Sequence, residues 1–222
     1  MATFDQVLIY NHINATHMHK FQKSTPNWLY QTPNLDEDAL SAIHKELLKL
    51  SLQTKDNLVP YTSTFTCYGH DHEERQKMMA MCPALKQELL RLKLLDSCFF
   101  VGFVSVHASK EFPPHVDTLD VGLNIPLYNC DDTYTVWYNA KILDQPFPDY
   151  VIGTEAVRVA RIVDKRHAVE IGRVEANRPL WLNTNVAHRP ETHHDKLRIA
   201  ASVRFNPEPL DEYGNLWPHL IK

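Results

Sequence analysis

Between residues 34 and 95 apolar side chains recur at helical spacing. Leu40, Ile43, Leu47 and Leu50 fall on one stripe of LDEDALSAIHKELLKL, which Asn34 precedes and whose early acids suit the positive end of a helix. A second helical stretch runs from about Glu73 to Leu95 and is predicted to break at Pro83, a residue tolerated best in a first turn. From Phe99 onward the period changes. Short runs rich in Val, Ile, Thr and aromatics follow one another between turn residues: FFVGFVSVH, VGLNIPLY, TYTVWYNAKI, AVRVARIV, HAVEIGRVE, PLWLN and RIAASVRF. This spacing predicts seven or eight short strands forming an antiparallel sandwich or jelly roll, with the N-terminal helices covering an outer sheet face. The chain therefore divides into a helical support region over 1–96, a β core over 97–206 and a tail over 207–222, all within a single domain over 1–222.

Composition narrows the class. The 222 residues are 44% apolar and 23% charged, which suits a buried core and excludes a disordered or collagen-like chain. A net charge of -4 argues against a partner recognised through its phosphate backbone, so nucleic acid is an unlikely substrate. The four cysteines, Cys67, Cys82, Cys98 and Cys130, are widely spaced and read as small buried hydrophobes. With no signal-like or membrane-length apolar run, the expected setting is soluble, reducing and cytoplasmic.

The unusual figure is 13 histidines, and most of them have ordinary readings. His12, His17 and His19 sit in an irregular N-terminal segment, and His70 and His72 open a helix beside Asp71. His193 and His194 belong to a solvated loop that could reach the mouth of a pocket. One pattern stands apart. In FPPHVDT, His115 and Asp117 are two residues apart, so in an extended segment both project to one face and can converge on an ion. A second such spacing, His193 to Asp195, lacks a later histidine on a regular element. After the first, His188 lies just beyond the strand PLWLN, and two histidines with one carboxylate make the facial triad that holds mononuclear non-haem Fe(II) with open positions.

Charge adds a second constraint. Along RIAASVRF, Arg198, Ala200, Ser202 and Arg204 share one face and Ile199, Ala201, Val203 and Phe205 the other. A core-facing guanidinium needs an anion, and its planar fork suits a carboxylate ligand.

The set His115-Val-Asp117, His188 and Arg198 on a strand-rich half resembles the Fe(II)/2-oxoglutarate-dependent oxygenases. NIPLYN followed by LNTNVAHRPET has the flavour of their aspartyl/asparaginyl and prolyl hydroxylase branches. The resemblance implies a double-stranded β-helix core and a dioxygenase that releases succinate and CO2. In it, His115, Asp117 and His188 bind iron and Arg198 pairs with the distal carboxylate of 2-oxoglutarate, O2 being the other cosubstrate. Many members carry Ser or Thr two residues after the arginine. Here that residue is Ala200, so Ser202 or a hydroxyl from another strand supplies the contact, or Arg204 is the anchor. Asn124 and Tyr128 are further cosubstrate candidates, and Trp137 and Tyr138 could line the substrate pocket. The implied substrate is an amino-acid, peptide or protein side chain. Alternatives are a cupin-like metal-dependent isomerase or hydrolase, which would use more histidine ligands and no paired arginine, and a non-catalytic jelly-roll binding module.

Overall fold

In the computed structural model, residues 28–53, 64–68, 72–106, 114–117, 119–146 and 160–222 are described. Helix α1 is Glu37–Gln53, α2 His72–Met81 and α3 Pro83–Arg91. Asp36, not Asn34, caps α1: its Oδ1 accepts from the Ala39 amide at 2.9 Å, and Glu37 and Asp38 fill the first turn. Pro83 opens α3, where its missing N–H costs nothing, and the next two amides donate to the Glu46 carboxylate of α1 at 3.0 to 3.4 Å. A side chain of one helix thus caps the start of the other.

The strands are β1 (Tyr30–Gln31), β2 (Thr64–Tyr68), β3 (Cys98–Val106), β4 (His115–Asp117), β5 (Val121–Tyr128) and β6 (Thr133–Asn139). They continue with β7 (Ile142–Pro146), β8 (Ala160–Val163), β9 (Val169–Glu175), β10 (Leu180–Asn183), β11 (His188–Thr192) and β12 (Arg198–Phe205). Two six-stranded antiparallel sheets result, ordered β1-β10-β5-β12-β3-β2 and β7-β8-β4-β11-β6-β9. From β3 to β6 and again from β9 to β12 the chain alternates between the sheets, which is the double-stranded β-helix. The region before residue 97 is thus not helical alone. It supplies β1 and β2, which extend both edges of the first sheet.

The main core lies outside the roll. On β12 the residues Ile199, Ala201, Val203 and Phe205 pack with Val121, Leu123, Ile125 and Leu127 of β5 against Ile43 and Leu47 of α1. Each fully buried Ile or Leu contributes about 1.5–3 kcal/mol, so the stripe on α1 is what docks the helix. Residues 207–222 are more than a tail. Leu216 and Leu220 join this core, the Trp181 indole donates to the Leu220 carbonyl at 3.0 Å, and Pro33 bridges Ile221. Because the outward positions of β5 and β12 are taken up by this core, their alternate residues face the opposite sheet and define the interior.

Candidate metal centre

His115 and His188 are direct cross-strand partners on β4 and β11, with ring centroids 4.7 Å apart. Asp117 lies on the same face of β4, two residues on. The ligand atoms of His115, Asp117 and His188 lie within 4.8 Å of one another; among the described residues this is the single group of three or more side chains able to hold a metal. His115 Nε2 is 3.5 Å from Asp117 Oδ1, and His188 Nε2 is 4.0 Å from Oδ2. His188 Nδ1 lies 2.9 Å from the Val186 carbonyl, which accepts its proton and leaves the Nε2 lone pair directed at the centre. The imidazoles are 8% and 5% exposed. Burial and the neighbouring His115 push the His188 pKa down to about 4, so this ring is neutral and ready to ligate at ordinary pH.

The carboxylate is held from behind. Arg204 donates to Asp117 Oδ2 at 2.5 Å through one nitrogen and to the Thr184 hydroxyl at 2.9 Å through another. Thr184 is itself fixed, its amide donating to the Asp120 carbonyl and its hydroxyl to that of Leu119, while its carbonyl accepts from the Asp117 amide at 3.0 Å. Burial alone would raise the Asp117 pKa. The Arg204 guanidinium, with the two imidazoles, outweighs it and holds the carboxyl below its ordinary range. Gly122 makes room for this arrangement: a Cβ there would stand 2.3 Å from Arg204 Nη1. Arg204 is therefore committed to Asp117, which corrects the expectation that it could anchor a free carboxylate.

Arg198 is different. It is 3% exposed, its guanidinium lies against the Cys130 thiol, and no carboxylate among the described residues pairs with it. Three of the buried polar atoms without a hydrogen-bond partner share this interior face: Arg198 Nε, Ser202 Oγ and Asn124 Oδ1, the last two on directly paired residues. An interior lined with orphaned polar groups is costly unless a polar ligand meets them. A dicarboxylate reaching from the two-histidine, one-carboxylate group toward Arg198 fits this donor set.

The remaining candidates lie at several places on the two sheets. Tyr128 is 50% exposed at the end of β5, beside a surface cavity shared with Leu40 and His44 of α1. Trp137 is the cross-strand partner of His188 and is fully buried with Val174, Leu180 and Leu182, its indole donating to the Asn183 carbonyl at 3.0 Å. Tyr138, one residue on, faces outward, where Arg189 stacks over its ring at 5.6 Å. Strand alternation puts the two side chains on opposite faces of β6. His193 also faces outward, 2.9 Å from Glu191 and 3.4 Å from Asp132, and His194 meets the Asn129 carbonyl. Asp195 is exposed, so the second His-x-Asp spacing gathers no ligand set. Cys82, Cys98 and Cys130 are buried, as expected for small hydrophobes. His12, His17, His19 and His70 lie outside the described residues, as does the side chain of Cys67. Sequence reasoning missed Gly122 and Thr184. A glycine inside the strand VGLNIPLY, in a chain with six in all, was the available signal of a close approach.

Fold and site together define a double-stranded β-helix protein with a buried group of two histidines and one carboxylate. No protein-family model matches the chain, nor does any curated protein. Among solved structures it is similar to the E. coli protein ycfD at 14% identity and TM-score 0.31, over 61% of this chain and 31% of that one. It is also similar to a Pseudomonas putida prolyl-4-hydroxylase, at 14% identity and TM-score 0.38 over 87% and 98% of the two chains. A third is Cellulomonas parahominis L-ribose isomerase, at 12% identity and TM-score 0.32 over 82% and 90%. The chain spans less than a third of the E. coli protein's length. Among the described residues no helix is long and apolar enough to cross a membrane.

Proposed function

We propose that this protein is an Fe(II)- and 2-oxoglutarate-dependent oxygenase that oxidises an amino-acid, peptide or protein side chain. The observation that carries the reading is the pairing, on one buried interior, of the His115/Asp117/His188 group with an arginine that meets no carboxylate among the described residues. Iron(II) and 2-oxoglutarate, when bound, supply the oxidation of a C–H bond by O2, with succinate and CO2 as the other products. The protein's part is to hold and orient. His115, His188 and Asp117 present three ligands on one side of the ion and leave the other side open. Arg204 occupies Asp117 Oδ2, which directs Oδ1 toward His115 and the metal position. Arg198 receives the far carboxylate, with Ser202 and Asn124 as neutral polar neighbours along the same face. The buried walls around Trp137 and Val116 exclude water from behind the ligands.

The test is anaerobic addition of Fe(II) and 2-oxoglutarate to the metal-free protein. A weak visible charge-transfer band is expected, followed by succinate on admitting air. Absence of both overturns the reading. A metal-dependent isomerase or a binding module of the same fold would take up the metal and leave 2-oxoglutarate unconsumed.

A further inference from the structure

The Arg198 guanidinium is buried to 3% exposure, its Nε has no partner, and the side chain against it is the Cys130 thiol. Cys130 sits just past β5, with its sulfur 3.2 Å from the Ile199 carbonyl, so it is fixed on the backbone of the residue that follows Arg198. Although 8% exposed, it lines a cavity of about 240 Å³ that opens between the end of β5, Leu40 and His44 of α1, and Asn177 and Pro179. The other thiols whose side chains are described lie in the main core at 0% exposure, Cys82 and Cys98, both pushed up to about 12 by burial.

We propose that Cys130 is a site of oxidation by hydroperoxides and that its sulfinate product is held by Arg198. In the first step the sulfur attacks one oxygen of hydrogen peroxide. The O–O bond breaks, an S–O bond forms and water leaves, so sulfur loses the two electrons that the peroxide gains and a sulfenic acid results. A second peroxide repeats the exchange, releases a second water and gives the sulfinic acid, whose proton passes to solvent. The product is an anion with two oxygens on one atom, the shape a guanidinium fork accepts in two parallel hydrogen bonds. A fixed positive charge beside the sulfur favours that anionic product over the neutral thiol. Oxidation would thus place an internal carboxylate mimic where an incoming dicarboxylate would bind. That last consequence rests on the oxygenase reading, whereas the oxidation itself does not.

The experiment exposes the reduced, full-length protein to hydrogen peroxide, with a chelator present and neither iron nor 2-oxoglutarate added, and follows each cysteine peptide by mass spectrometry. The peptide containing Cys130 is expected to gain two oxygens at least about tenfold faster than those containing Cys82 and Cys98. In Arg198→Met the gain of the second oxygen should slow by about tenfold, and in Arg198→Lys it should persist. Oxidation of Cys130 no faster than of Cys82 and Cys98 overturns the proposal, and this comparison within one molecule needs no variant to fold. Equal rate and product in folded Arg198→Met overturns it as well. Oxidation at Cys130 as expected, with no succinate formed by a separate, fully reduced sample given iron and 2-oxoglutarate, refutes the oxygenase reading alone; succinate from the reduced sample without preferential oxidation of Cys130 refutes this proposal alone.

Discussion

Replacing Gly122 with alanine separates two physical effects by sign. Gly122 has no positive φ, so its backbone accepts alanine, and removing a strand glycine should by itself stabilise the fold by about 0.4–1 kcal/mol through the unfolded chain. Against that stands the Arg204 guanidinium, whose Nη1 and Cζ would lie 2.3 and 2.6 Å from the new Cβ. A free arginine would swing away. This one is tied to Asp117 and Thr184 with its side chain 10% exposed, so moving it breaks a pair whose carboxylate is 15% exposed. Loss of one partner from a buried pair costs about 3–5 kcal/mol; displacement costs somewhat less, and with the backbone gain subtracted the net is about 2–3 kcal/mol. For a chain of this length that is a fall in Tm of about 4–12 °C. Urea and thermal unfolding of the metal-free protein measure it. The cycle with Arg204→Ala supplies the control, because with the guanidinium gone Gly122→Ala should turn stabilising. A stabilised single variant, or the same cost with and without Arg204, would refute the claim that Gly122 exists to admit the guanidinium.

Other outcomes follow from the same geometry. Asp117→Ala should weaken binding of Fe(II), measured anaerobically by calorimetry, by more than about a hundredfold, while Asp195→Ala leaves it within about twofold, since a lost ligand exceeds the usual cost of a lost outer partner. Arg198→Ala should raise the 2-oxoglutarate concentration for half-maximal succinate formation by about 10–100-fold with little change in iron affinity, the worth of one charge-assisted bond to a carboxylate. In the metal-free protein, burial and then Asp120 push Glu208 up to about 7, above its unfolded value, so its contribution is complete below about pH 4.5 and lost as pH rises through about 7. Glu208→Gln should therefore match the wild type at pH 4.5 and exceed it by up to about 3 kcal/mol at pH 8 in chemical denaturation. His188 works in the opposite sense. Its pKa is depressed to about 4, so stability falls as pH drops from about 6.5 toward 4, and His188→Gln should lose that slope.

The strands legible in the sequence are those whose alternation is enforced by the core: RIAASVRF and VGLNIPLY reappear as β12 and β5 with their apolar sets against α1. The two strands that carry His115, Asp117 and His188 have no apolar strand pattern of their own. β4 is three residues long, and β11 reads HRPET, where a proline and charges imitate a loop. Their extended form is imposed by partners, His188 by His115 on one side and Trp137 on the other. The outward residues of β11 are stabilised by ion pairs of Glu191 with Arg189 and Arg173, not by apolar burial. Hydrophobic periodicity therefore could not reveal them, whereas the two-residue spacing of ligand types could. Residues 207–222 were equally hard to read, because Leu216 and Leu220 have no periodic context and owe their burial to surfaces assembled far away in sequence.

Alternation placed Arg198 and Arg204 on the same face but could not distinguish them, since the difference lies across the roll. Arg204 meets a glycine gap, a threonine hydroxyl and a carboxylate; Arg198 meets a thiol. The consequence is electrostatic. Asp117 and Arg204 neutralise one another, which among the described residues leaves the charge of Arg198 without a carboxylate, and a divalent ion at the histidines would add to it. In a dry interior such an excess is costly and selects for an anionic ligand. A dicarboxylate would bring one charge to the metal and the other to Arg198, whereas a neutral sugar would leave both uncompensated. It is the arginine without a carboxylate partner among the described residues, and not the metal group, that points to an anionic ligand.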